Sequence, residues 1–190
     1  MKTPISFVQP NFQTGPKHLN AFYLPYTSGM LWAYARRNKK ISNNFEVDYF
    51  VYKRHPFKSN FEKVKNSKIL FFSVYVWNYK YCLQLAKEIK EHNPEAVILF
   101  GGPQLPYSDS EFFDKHPYID SICVGEGEHV VEQVLLDYLE DKPIEKIVRA
   151  ERIKDMKLPS PYLDGVFDEL MAEHPEVLWN PTLETDRGCP

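Results

Sequence analysis

Three small clusters of residues could do chemistry. Ser73 closes an apolar run, Ile69-Leu70-Phe71-Phe72-Ser73-Val74-Tyr75, and sets a hydroxyl and an aromatic ring at its end. Gly101-Gly102-Pro103-Gln104 follows a second apolar run, Ala96-Val97-Ile98-Leu99-Phe100. Gly125-Glu126-Gly127-Glu128 follows a third, Ile119 to Val124. Glycine lets a backbone or a ligand approach where a Cβ would collide. A glycine-rich helix start can bind phosphate. Here, however, two acids occupy the first turn, where they suit the helix dipole and repel a pyrophosphate. The G-x-G-x-x-G fingerprint also fails, because no glycine stands in His129-Val130-Val131. The clusters suit an electrically mild group packed by shape against small residues. Their plainer reading is a set of tight turns.

Thiols and imidazoles offer less. Cys82 falls on the apolar stripe of a helix, Cys123 lies inside a strand, and Cys189 taken alone reads as an ordinary free thiol. His18, His55, His92, His116, His129 and His174 show no metal-ligand spacing.

These residues need elements to hold them. Runs apolar on both faces suit strands of a parallel sheet covered by helices on both sides. Ile5–Val8 reads as a first strand that Pro10 ends. The loop from Gln9 to Pro25 is of a length that is commonly functional. Thr27 is placed to cap a helix carrying Met30, Leu31, Tyr34 and Ala35, with Arg36, Arg37 and Lys39 closing its last turns. Phe45 to Tyr52 reads as the second strand. Ser59 and Glu62 fit a capping box, as do Ser108 and Glu111. Asn78 is placed to cap a helix in which Cys82, Leu85, Ala86 and Ile89 recur at helical spacing, and Pro94 ends it. After Gly127, Val131, Val134, Leu135 and Tyr138 form one more helical stripe.

Strands alternating with helices predict an α/β, flavodoxin-like (Rossmann-like) three-layer sandwich. Its five-stranded parallel sheet takes the order 2-1-3-4-5, and a ligand belongs beyond the carboxyl ends of the strands. Past Leu139 the character changes. Asp141-Lys142-Pro143 marks a boundary, Pro159-Ser160-Pro161 is rigid, Val166 to Ala172 reads as one short helix, and the stretch predicts a linker without a core.

Composition narrows the function. The 190 residues allow a domain of about 100–150 residues plus a tail. A net charge of −3 gives no footprint for nucleic acid. No apolar run approaches the ~20 residues of a membrane span, and Met1-Lys2-Thr3-Pro4 has no signal-peptide core. Three cysteines, few and odd in number, argue against a disulfide framework and for a reducing, cytoplasmic setting. Among users of this fold, a phospho-receiver needs acids at the strand ends, but Gln9, Pro10, Asn11 and Ser73 are not acids. A flavodoxin needs a hydroxyl-rich loop after strand one, of which Thr14-Gly15 is a faint trace. A cobalamin-binding domain needs serine after strand three, Gly-Gly after strand four and glycine after strand five, and all are present.

Phe72-Ser73-Val74-Tyr75-Val76-Trp77-Asn78, Leu99-Phe100-Gly101-Gly102-Pro103-Gln104 and Asp120-Ser121-Ile122-Cys123-Val124-Gly125-Glu126-Gly127-Glu128 together resemble the amino-terminal cobalamin-binding domain of radical S-adenosylmethionine enzymes. Pro159-Ser160-Pro161-Tyr162-Leu163-Asp164-Gly165 resembles that family's connector, and Glu184-Thr185-Asp186-Arg187-Gly188-Cys189-Pro190 resembles the start of its radical domain. The resemblance implies a cobalamin-binding domain over residues 1–140, a linker over 141–182 and the beginning of a radical domain over 183–190. It implies cofactor contacts from Ser73, Val74, Tyr75, Trp77, Gly101, Gly102, Pro103, Gln104, Gly125, Glu126 and Gly127. Cys189 would be the first of three thiolates in the CxxxCxxC that holds a 4Fe–4S cluster and S-adenosylmethionine. The other two lie beyond Pro190, so this chain alone is expected to hold no cluster, and a radical barrel is expected after it. The Asp-x-His-x-x-Gly that supplies a histidine to cobalt in methionine-synthase-type domains is absent. His18 has Pro16 two before it and Ala21 three after. Methyl transfer, rearrangement or cyclisation is the implied chemistry of the full-length parent. Two other readings remain: a docking or substrate-presenting module that has lost cobalamin, and a flavin or nucleotide binder with phosphate held after Pro10.

Overall fold

Apolar side chains on every position of a short strand have to be covered from above and below, and the sheet shows how. The structure is a computed structural model and describes residues 1–16, 18–106, 110–153 and 158–185. Along the chain run β1 (Thr3–Asn11), β2 (Ala21–Tyr23), α1 (Tyr26–Ala35), α2 (Lys39–Asn44), β3 (Phe45–Lys53), α3 (Phe57–Val64), β4 (Ile69–Ser73) and α4 (Tyr79–His92). Then come β5 (Val97–Gly101), α5 (Ser110–Lys115), β6 (Ser121–Val124), α6 (Gly127–Leu139), β7 (Ile147–Arg149), α7 (Asp168–Glu173) and β8 (Leu178–Asn180). In register, Phe7 lies between Phe50 and Phe71, and its ring stacks on both at 5.5 and 5.2 Å. Trp32 of α1 meets this row. One residue on, Phe72 and Phe100 stack at 4.6 Å on the opposite face. Helices α1 and α2 both pack against α6, while α3 packs against α4.

The main sheet is parallel throughout, in the order β3-β1-β4-β5-β6-β7. It has six strands rather than five. The order foreseen for five strands is extended by β7, which pairs with β6 through Ile122↔Ile147 and Cys123↔Val148. A second sheet pairs β2 with β8. Strand β1 runs on through Pro10, because the missing N–H falls at a register irregularity between Val8 and Asn11.

The stretch expected to lack a core contributes one. Phe167 is 1% exposed and packs on Phe50, and Val166, Leu170 and Val177 are buried with it. The aromatic ring of Phe167 occupies the place where a Cβ on Gly29 would stand.

Capping differs from expectation too. Helix α1 starts one residue before Thr27, behind Pro25, and Thr27 serves elsewhere. Ser59 lies inside α3, whose N-cap is Pro56. Asn78 does precede α4 but gives its helix no side-chain cap. Ser108 lies outside the described residues.

Candidate ligand site at the strand ends

Three strand ends share one row. Ser73 pairs with Gly101 and Gly101 with Cys123, so the middle position of the row has no side chain. A Cβ built on Gly101 would meet only the Cys123 Cβ, at an ordinary 3.5 Å. The neighbouring glycines have structural causes. Gly102 has φ +121°, and a Cβ there would collide with the Val74 carbonyl oxygen. Gly125 has φ +101°, and its Cβ would stand 2.9 Å from the Ala150 carbonyl oxygen, where the chain continues from β7. Gly127 lets the first turn of α6 approach Leu31, whose Cδ2 lies 2.9 Å from its Cβ position. Of these four glycines, Gly101 alone keeps space that the fold itself does not fill.

Beside that row a groove of about 280 Å³ opens, lined by Gly102, Pro103, Leu105, Pro106, Cys123, Val124 and Gly125. No charged side chain lines it among the described residues. Glu126 accepts a hydrogen bond from the Ile153 N–H at 2.8 Å, and Glu128 is buried in the first turn of α6. Burial, with Glu128 adding to it, pushes the Cys123 thiol up to about 11, so it is neutral at pH 7. The lining suits an uncharged group.

Across the row from the groove, aromatic side chains rise past the ends of β1 and β4. Tyr75 and Trp77 stack with centroids 4.6 Å apart and planes 5° from parallel. Phe12 meets Trp77 edge-on, and Tyr23 meets Phe12 likewise. Trp77 is 41% exposed and Val76 74%. The Val74 N–H donates to the Gly101 carbonyl at 2.7 Å, tying this loop to the glycine pair.

Ser73, Tyr75, Trp77, Gly101, Gly102, Pro103 and Gly125 therefore gather at one edge. Val74 is fully buried beneath Gly102, Gln104 is exposed outside the groove lining, and Gly127 packs on Leu31. Cys189 lies outside the described residues. Leu105, Pro106, Cys123 and Val124 line the groove without having been singled out for it. Their place follows from strand register, and only the apolar Leu105 just after the glycine turn hinted at it. Elsewhere, His129 Nδ1 meets the Tyr34 hydroxyl at 3.0 Å and His174 Nε2 meets that of Tyr49 at 2.9 Å. Among the described residues no three acids, cysteines or histidines could share a metal ion. No helix there is long and apolar enough to cross a membrane.

The B12 binding domain family matches residues 38–135, from the start of α2 through most of α6. This chain belongs to that family. The B12-binding domain is similar, at 32% identity over 88% of this chain, to the cobalamin-dependent radical SAM methyltransferase TokK of Streptomyces tokunonensis. It is 30% identical over 90% of its length to the 2-(S-pantetheinyl)-carbapenam-3-carboxylate methyltransferase of Streptantibioticus cattleyicolor. An uncharacterised protein of Methanocaldococcus jannaschii matches 70% of the chain at 26% identity. The chain spans only 27% and 28% of the lengths of the two methyltransferases. The site suits the family's ligand on structural grounds, with a side-chain-free position between two strand ends, an uncharged groove beside it and a stacked aromatic pair past the end of β4.

Proposed function

We propose that this chain holds cobalamin at the carboxyl edge of its sheet, as one part of a radical S-adenosylmethionine enzyme of the methyl-transferring kind. The observation that carries this is the row Ser73–Gly101–Cys123, with no side chain at its middle position and with Cys123 lining a groove beside it. Residues 1–140 would hold the cofactor, 141–182 connect, and 183–190 begin the radical domain, with Cys189 the first thiolate for a 4Fe–4S cluster. Bound cobalamin supplies a transferable methyl group, and the chain's own part is to bind and orient. The Ser73 hydroxyl donates to the nucleotide tail. Gly101 gives the tail depth, and the groove from Gly102 to Gly125 accepts an uncharged heterocycle by shape. Tyr75 and Trp77 present a flat apolar face to the corrin. Pro103 and Gly125 form the rim, the Val74 N–H ties the loop to Gly101, and Gln104, Glu126 and Gly127 flank it.

Mixing the purified chain with hydroxocobalamin tests this. The expected result is co-elution on size exclusion and a changed visible spectrum. No binding at concentrations of roughly tens of micromolar overturns the proposal. That outcome would favour a docking module in its place.

A further inference from the structure

We infer that Asn78 and Thr27 are positioning residues that lock the Tyr75–Trp77 stack in its ligand-meeting form before any ligand arrives. The inference rests on reading this edge as a cofactor site. Asn78 is 0% exposed, and a buried amide is costly unless its donors and acceptor are used. All are used here. Its Nδ2 donates to the Ser73 carbonyl at 3.0 Å and the Pro10 carbonyl at 3.3 Å, and its Oδ1 accepts from the Tyr75 N–H at 2.8 Å. The side chain thus bridges the ends of β1 and β4 where their own ladder stops, and fixes the loop that follows. It does this at the position from which an asparagine ordinarily caps the helix after it.

The second anchor is at the ring. The Thr27 Oγ1 and Tyr75 hydroxyl share a hydrogen bond at 3.0 Å, and the Gln9 Nε2 donates to the same Oγ1 at 3.5 Å. Gln9 is fixed in turn, because its Oε1 accepts from the Ser28 N–H at 3.0 Å. Arg54 holds the far end of the loop through the Trp77 carbonyl at 3.3 Å. An exposed aromatic pair on an ordinary surface loop needs no such buried network. A pair that must meet a flat ligand gains from it, since ordering done in advance is not charged to binding.

The test uses the whole chain and two readouts. Without ligand, the difference in near-ultraviolet circular dichroism between the chain and its Trp77→Phe variant reports the stack. Asn78→Ala is expected to lose most of that difference while keeping its far-ultraviolet spectrum, and Thr27→Val to lose part of it. With hydroxocobalamin, Asn78→Ala should bind about ten-fold more weakly, and Thr27→Val about three-fold. A folded Asn78→Ala with an unchanged difference signal and unchanged affinity overturns the inference. Should Asn78→Ala not fold, Thr27→Val decides in the same way, its lowered signal supporting and its unchanged signal overturning. If the unaltered chain binds no hydroxocobalamin, the cofactor reading falls, and the ligand-free signal still decides whether the two anchors hold the stack.

Discussion

At the scale of single residues, the glycines separate. Gly101 has room for a side chain, whereas Gly102 at φ +121° has a carbonyl where its Cβ would go. Gly101→Leu should therefore fill the row between Ser73 and Cys123, weakening hydroxocobalamin binding at least about ten-fold. Its melting temperature should stay close to that of the unaltered chain. Gly102→Ala should do the reverse of a ligand-site change. It forces an L-residue into left-handed backbone at a cost of about 1–2 kcal/mol, with the collision added, and lowers the denaturation midpoint. Binding titrations and urea melts of the two variants check this, and equal loss of affinity at equal stability would contradict the assignment. In the sequence all these glycines look alike, each following an apolar run. Only register tells the glycine that leaves room from those the fold needs, because Cys123 opposite Gly101 comes from pairing and not from spacing. Asn78 was legible as a helix-start residue, but the direction its amide turns depends on where β1 ends, some 68 positions away.

At the scale of elements, the legible strands were those buried on both faces. Such strands must be continuously apolar, so β4, β5 and β6 stand out. The strands β7 and β8 have three residues each and carry no period to read. The segment from Val166 to Val177 offers a short helix, found as α7, but no sign of a core, because its apolar residues are scattered among turns, yet Phe167 closes the core over Phe50 and Gly29. Truncating that ring leaves a cavity, so Phe167→Ala should cost about 3–5 kcal/mol. Gly29→Ala pushes a methyl group into the same ring and should cost about 1–3 kcal/mol. Because both act on one contact, the double variant should lose clearly less than the two separate losses combined. Urea denaturation of the three variants gives the coupling, and full additivity would mean that the segment is only loosely laid on the domain. A chain ending at Glu140 should melt lower for the same reason, since it lacks both β7 and Phe167.

For the whole molecule, the aromatic-rich, cysteine-poor core sets how stability depends on pH. Burial pushes the Cys123 thiol from 9.0 up to about 11 and the Cys82 thiol further still. Burial likewise raises Tyr49 from 10.0 to about 12, with Glu173 and Glu176 adding to it, and lifts Tyr52 and Tyr81 beyond that. Each of these groups is kept neutral by the fold and ionises sooner in the unfolded chain. Above pH 9 the unfolded state therefore holds fewer protons than the native one, and stability falls as pH rises. Below pH 8 both states are protonated and the groups contribute no slope. By pH 10 each thiol should remove about 1.4 kcal/mol of stability relative to pH 8, with smaller amounts from the tyrosines. Urea unfolding at pH 8 and pH 10 measures the drop, and Cys123→Ala should shrink it by about one thiol's share. Ligand enters the same balance. Hydroxocobalamin in the groove covers the Cys123 side of the row, so it should raise the midpoint at both pH values and slow alkylation of Cys123 at pH 10. A raised midpoint without protection of Cys123 would place the ligand elsewhere than between Ser73 and Cys123.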